Sequence, residues 1–290
     1  MTDVVVIVSE RDLEDVLTSL AREKRMVFFA GLPGVGKSLF NRELARAAHA
    51  AGRTVHLLQW DVVRPAFVTP AIDARYPEVA GLTHAMIRKA VGMWSRMAAH
   101  RWHLEHDASH ILIGEVPLLG CRLLDLVQVQ TDAAEDLLAG PDVLFATPVP
   151  SVAVRNIIEG ARGKTFANPT HPRESADAPP ALMRRAWQEV HRLAVKLGAT
   201  SSSTSPIEGE APFDPQAYAA VYRHLLRHRH AITISVNAPL QPGKSVYALD
   251  AAATELVPRA GEAEEIVAKL EQQYTPGQIE RDVAGWFEQV

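Results

Sequence analysis

The stretch Val27-Phe28-Phe29-Ala30-Gly31-Leu32-Pro33-Gly34-Val35-Gly36-Lys37-Ser38 constrains this chain more than any other. Its last eight residues follow the pattern Gly-x-x-x-x-Gly-Lys-Ser, between a short apolar run and a segment of helical character at 39–51. Glycine at 31, 34 and 36 lets the backbone take positive φ and turn successive N–H groups inward, so the turn becomes an anion cradle at a helix start. Gly31, Leu32, Pro33, Gly34, Val35, Gly36, Lys37, Ser38 and Leu39 would line it. Lys37 then faces the β- and γ-phosphates of a nucleotide, and the Ser38 hydroxyl offers Mg²⁺ an oxygen ligand. The competing reading is a plain glycine-rich turn. A second Gly-Lys-Ser, Gly243-Lys244-Ser245, has Ala238 where the first glycine belongs and is set aside.

Around this turn, strand-like and helical segments alternate, which predicts an α/β architecture with a central, mainly parallel sheet of five strands. The strands are expected at 26–30, 54–60, 110–114, 142–146 and 232–236. Residues 1–24 read as a strand and helix added in front, with Ser9 as N-cap. The core spans 25–250, and 251–290 reads as a C-terminal helical segment, with a helix at 262–273 and another in the tail. Residues 245–249 read as a short strand or extended loop. The whole is expected to form one compact domain.

Two strand ends carry acids. The second ends in Asp61-Val62-Val63-Arg64, one βα unit after the glycine turn, and ligands of doubly wound sheets gather beyond carboxyl ends of strands. The third ends in Glu115, placed to hold Mg²⁺ or orient an attacking group, unless it is an ordinary loop carboxylate. Pro117, Gly120 and Arg122 make the next turn, and 123–129 begins another helix.

Between 65 and 107 a helical insert replaces any strand signal, with a helix at 83–104 carrying Met86, Ala90, Met93, Trp94 and Met97 on one side. That stripe reads as core, with an adaptable binding face as the alternative. Arg75, His84 and Arg88 flank it, and the two arginines are candidate contacts for an anionic substrate. The stretch 150–185 reads as a lid: Arg155 and Arg162, two helical turns apart, share a side, followed by a proline-rich loop and a helix at 181–197. Arginines on a solvated helix are the alternative. Ser201 to Ser205 read as a flexible connection, followed by a helix at 215–229. His224, His228 and His230 lack the thiol or carboxylate of a metal site, and His100, His103, His106 and His110 are expected at the surface.

The totals bound the rest. An apolar fraction of 47% supports a sizeable core, and a net charge of −4 argues against general nucleic-acid affinity. A single cysteine, Cys121, excludes an internal disulfide and reads as a buried thiol. No apolar run is long enough to span a membrane and no signal-peptide pattern leads the chain, so a soluble cytoplasmic protein is the expectation.

With these residues in hand, the chain resembles the P-loop kinases of small molecules and nucleotides. Gly31 to Ser38 looks like their phosphate loop, and Asp61-Val62-Val63-Arg64 is similar to the Asp-x-x-Arg of adenylylsulfate kinases and their relatives. Arg155 to Arg162 looks like the arginine-containing lid of that group. The resemblance covers roughly residues 25 to 250 and implies a three-layer P-loop NTPase fold. It also implies transfer of a phosphoryl group from ATP, with GTP left open, to a hydroxyl or phosphate of a small-molecule or nucleotide acceptor. Lys37, Asp61, Arg155 and Arg162 would be catalytic, Ser38 and Glu115 would hold Mg²⁺, and Asp61, Arg64, Arg75 and Arg88 would meet the acceptor. A homodimer is left open. Two other classes remain: a nucleotide-dependent regulatory NTPase, although no Asn/Thr-Lys-x-Asp guanine-reading motif is present, and a kinase of nucleic-acid ends or RNA-linked groups.

Overall fold

In the computed structural model, which describes residues 3–79, 81–169, 171–200, 210–240, 245–249 and 252–289, the buried run Met26–Ala30 is the middle of a parallel sheet. The strands are β1 (Asp3–Ile7), β2 (Met26–Ala30), β3 (Thr54–Gln59), β4 (His110–Val116), β5 (Val143–Pro150), β6 (Ala231–Val236) and β7 (Ala253–Glu255). Their order is β1-β6-β5-β2-β4-β3-β7, and every pairing is parallel. β2 is the switch point: the chain leaves it toward β3 and β4 on one side and reaches β5 and β6 on the other. A ligand crevice is expected beyond its carboxyl end, where the glycine turn lies.

Seven strands stand where the sequence predicts five. β1 joins the sheet at one edge, Asp3 opposite Ile232, and β7 at the other, Val55 opposite Ala253. The N-terminal segment is therefore part of the sheet, the C-terminal one is not wholly helical, and 245–249 is not a strand. β5 also runs past its expected end at 146, through Pro148 to Pro150. Beyond Ala146 it pairs with β6 alone, so the missing proline N–H groups cost no ladder bond on the β2 side.

Side chains alternate across β2 and divide the core. Met26, Phe28 and Ala30 enter one cluster with the helices Ala85–Glu105, Pro180–Lys196, Pro215–Leu225 and Glu262–Gln273. Val27 and Phe29 enter a second, with the helices Glu10–Glu23 and Lys37–Ala50. The layers are thus helix, sheet and helix. Gly114 lets β4 close on β2, since a Cβ there would lie 2.5 Å from the Phe28 ring.

Helix Ala85–Glu105 buries Met86, Ala90, Trp94, Ala98 and Trp102, while Met97 is exposed at the margin of the stripe. Its Arg96 lies inside the protein, clamped by both Asp132 oxygens at 2.7 Å and by Glu135 at 2.6 Å. The helix expected from 123 shrinks to one 3-10 turn, Leu124–Leu126, because Leu123 has positive φ. His100, His103, His106 and His110 are all half-buried rather than on the surface. Cys121 is buried as expected, and burial pushes its thiol up to about 12. No helix of the described residues is long and apolar enough to cross a membrane. The serine-rich 201–205 stretch and residues 243–244 of the second Gly-Lys-Ser lie outside the described residues.

Candidate active site

The glycine turn leaves β2 with the Gly31 N–H bonded to the Val116 carbonyl at 3.2 Å. Gly34 and Gly36 have φ of 73° and 97°. Gly36 is the N-cap of helix Lys37–Ala50 and brings no side-chain cap, so the first helical N–H groups keep their hydrogen-bonding capacity. The helices starting at Glu10, Val152, Pro215 and Pro276, by contrast, are capped by Ser9, Ser151, Asp214 and Thr275 side chains. Uncapped amides at the end of a macrodipole are what an anion needs.

Helix Val152–Ala167 packs over this turn. Arg155 is buried and donates from Nη1 to the Pro33 carbonyl at 2.7 Å, while its guanidinium lies 5.3 Å from the Phe213 ring. A side chain at Gly34 would run into Met183 and come within 3.1 Å of Arg155 Nη1. Tyr218 adds its hydroxyl as acceptor for the Leu32 N–H at 3.3 Å.

Lys37 is the centre of the charged groups. It is buried, and its Nζ donates to the Leu32 carbonyl at 2.9 Å. Burial pushes the ammonium below its ordinary range, Glu115 opposes that, Arg162 reinforces it, and Asp61 and Arg155 act in opposite senses. Four charged residues from three segments therefore act on one amine. Glu115 sits on β4 between Phe29 of β2 and Gln59 of β3, half-buried. Asp61 is exposed, on the one-turn helix Trp60–Val63 that follows β3. Arg162, one side of helix Val152–Ala167 with Arg155, is ion-paired with Asp177.

Tyr247 completes this side of the site and has no signal in the sequence. Its hydroxyl bonds Asp177, and Ser38 and Arg162 are close enough to act on its phenol. Burial raises its phenol, Arg162 lowers it, and Glu115 raises it, so Ser38 and Glu115 both lie around this ring. A hydroxyl and a carboxylate together suit a hard cation that favours oxygen ligands.

The expected acceptor arginines separate. Arg64 pairs with Glu78 at 3.6 Å. Arg88 donates to the carbonyls of Thr83 at 2.8 Å and Gly120 at 3.3 Å. Arg75 belongs elsewhere: it is ion-paired with Glu271, lies 5.6 Å from the Tyr76 ring and is not among the charges acting on Lys37. It stands in the exposed turn after the short helix Pro70–Asp73.

The residue sequence reasoning passed over is Arg122. It belongs to a turn in which Leu118, Gly120, Cys121 and Leu123 all have positive φ, including every such non-glycine residue among those described. Gly120 adopts this conformation without strain, whereas Leu118, Cys121 and Leu123 each cost on the order of 1–3 kcal/mol, offset by their burial. The turn is held by Tyr222, whose hydroxyl donates to the Pro117 carbonyl at 3.0 Å, and by Arg88 on Gly120. What it presents is a half-buried guanidinium 5.8 Å from the Trp60 ring, with no hydrogen bond or ion pair among the described residues. Burial depresses its pKa and Arg88 adds to that, while Asp61 opposes it. A signal did exist: Arg122 follows the strand that ends in Glu115, on the ligand side of the sheet.

No protein-family model matches this chain, and no curated protein sequence matches it either.

Proposed function

We propose that this protein is a P-loop kinase that transfers the γ-phosphoryl group of ATP to a hydroxyl or phosphate of a small-molecule or nucleotide acceptor carrying its own negative charge. The observation that carries the proposal is the convergence of Glu115, Arg162, Asp61 and Arg155 on Lys37, beside helix N–H groups that no side chain caps. A polyanion supplies what that arrangement lacks.

In this reading the amides of 34–38 bind phosphate oxygens, and Lys37 exchanges its bond to the Leu32 carbonyl for them. Arg155 and Arg162 neutralise charge that grows during transfer, and helix Val152–Ala167 keeps water out. Asp61 accepts the acceptor's hydroxyl proton or orients that group, and Arg122, with Arg64 and Arg88, binds the acceptor's anion. Ser38 and Glu115 would hold Mg²⁺, which supplies charge neutralisation at the phosphates when bound. Leaving Arg122 half-buried without a partner makes sense when an acceptor anion completes it.

ATP consumption measured with and without a panel of phosphate-, sulfate- and carboxylate-bearing acceptors tests the proposal. Strong acceptor dependence is expected, with Lys37→Ala losing on the order of 10² to 10³ in turnover. Turnover indifferent to every acceptor, or a fully active Lys37→Ala, would contradict it.

A further inference from the structure

At the opposite end of the strands from the glycine turn, three imidazoles from three segments meet. His56 is the third residue of β3, His110 the first of β4, and His106 caps the C-terminus of helix Ala85–Glu105. One ring nitrogen from each lies within 4.8 Å of the other two. His56 Nε2 and His110 Nδ1 are 3.0 Å apart, and ring centroids are separated by 4.5 Å for His56 and His106 and 4.7 Å for His106 and His110.

From this geometry we infer a transition-metal site in which His56, His106 and His110 bind one Zn²⁺-class ion, with water in the fourth position. It is independent of the proposed kinase activity. In a tetrahedral site with metal–nitrogen bonds of about 2.0–2.1 Å, ligand nitrogens lie about 3.3 Å apart. The His56–His110 pair is already near that spacing, and side-chain rotation of His106 covers the remainder.

The chemistry of each ring agrees. His106 Nδ1 lies 2.9 Å from the Trp102 carbonyl, which can only accept. Nδ1 therefore carries the hydrogen and Nε2 the lone pair, the arrangement by which carbonyls orient metal-binding histidines. Between His56 and His110 one facing nitrogen donates to the other. A shift of that ring to its other tautomer frees both lone pairs without net proton loss.

The surroundings hold the cluster in place. The Trp102 ring stacks on His106 at 5.2 Å. Arg25 donates to the His106 carbonyl at 2.7 Å and Arg53 to the His110 carbonyl at 2.5 Å. These guanidiniums fix the backbone but also repel a dication, which sets a moderate affinity. An imidazole-only donor set favours Zn²⁺, Cu²⁺, Ni²⁺ or Co²⁺ over Mg²⁺ or Ca²⁺. His106 and His110 are half-buried, so an ion has an entry path.

The test is Zn²⁺ titration of the full-length, tag-free chain, stripped by a chelator and monitored by competition with a chromophoric chelator. Co²⁺ absorption serves as a second readout. One equivalent is expected, with Co²⁺ bands of four-coordinate geometry. Loss of a direct ligand in His106→Asn or His56→Gln should weaken it at least about 100-fold, the upper range for losing a mere supporting group. The His100→Gln control should bind as wild type, and Mg²⁺ should not compete. Thermal unfolding in chelator checks that variants fold; if His56→Gln does not, the half-buried His106→Asn decides alone. Substoichiometric binding, or binding unchanged in His106→Asn, would overturn the inference.

Discussion

A buried pair of arginines and a single half-buried one differ in one respect. Arg96 and Arg229, on either side of Glu135, have their donors taken up. Arg96 serves Asp132, Glu135 and the carbonyls of Asp125 and Gln128, and Arg229 serves Glu135 and the carbonyls of Leu126, Gln128 and His228. Arg122 is half-buried with its guanidinium unmatched among the described residues, on a strained turn at the ligand end of the sheet. A charge removed from water must be compensated, by protein or by a ligand. The first pair is compensated internally and fastens the fold. Under the proposed function, the second site leaves the compensation to the acceptor's anion.

The largest effect that would sharpen this contrast is expected from Arg229→Ala. Its side chain is fully buried, and its removal leaves Glu135 with half its hydrogen bonds. Roughly 3–5 kcal/mol of stability should be lost, measurable by denaturant unfolding. A loss under about 1 kcal/mol would break the comparison from its structural side.

Arg122→Ala should do the reverse. Unfolding should be unchanged or slightly harder, because no internal partner is orphaned, while kcat/KM for an anionic acceptor should fall about 10- to 100-fold, as expected for a lost charged hydrogen bond. Equal kinetics with a destabilised fold would make Arg122 structural.

A smaller effect is expected from Glu135→Gln, read through pH. Burial would raise this carboxyl, but hydrogen bonds from Arg229 and Arg96 outweigh it and hold it at about 2, below the ordinary 4.5. A depressed carboxylate stabilises the fold above its unfolded pKa, and that contribution fades as pH falls from 4.5 toward 2. Wild type should exceed Glu135→Gln by about 1–2 kcal/mol at neutral pH, and the two unfolding curves should converge in acid. A gap that persists below pH 2 would contradict the assignment.

The smallest effect belongs to Arg75→Ala. Its exposed pair with Glu271 should contribute about 0–1 kcal/mol, and acceptor kinetics should not move. A rise in acceptor KM would return Arg75 to the site.

The turn around Gly31 to Ser38 was legible because its chemistry is local: glycines, lysine and serine must stand in that order between a strand and a helix. Asp61 and Glu115 were legible because strand ends were. The edge strands were legible only in part. β1 is apolar and read as a strand, but its place in the sheet rests on its pairing with β6, while β7 is three residues long, two half-exposed and one exposed, and has no apolar signature. The prolines of β5 hid its length because tolerance for them depends on which neighbour pairs where. Arg122 and Tyr247 depend on tertiary contacts, Arg88 with Gly120 and Tyr247 with Ser38, that no spacing reveals. The run His100, His103, His106 and His110 drew attention to neighbours in sequence, whereas the partner of the last two is His56 on another strand.

The proposed activity requires an anion seated in the glycine turn. Amide hydrogen exchange of the full chain with and without saturating Mg·ATP tests it most directly. Slower exchange is predicted across residues 34–40, whose amides line and follow the cradle, with little change at 106–110 on the far end of the sheet. Unaltered exchange at 34–40 under saturating nucleotide, or protection centred elsewhere, would contradict it.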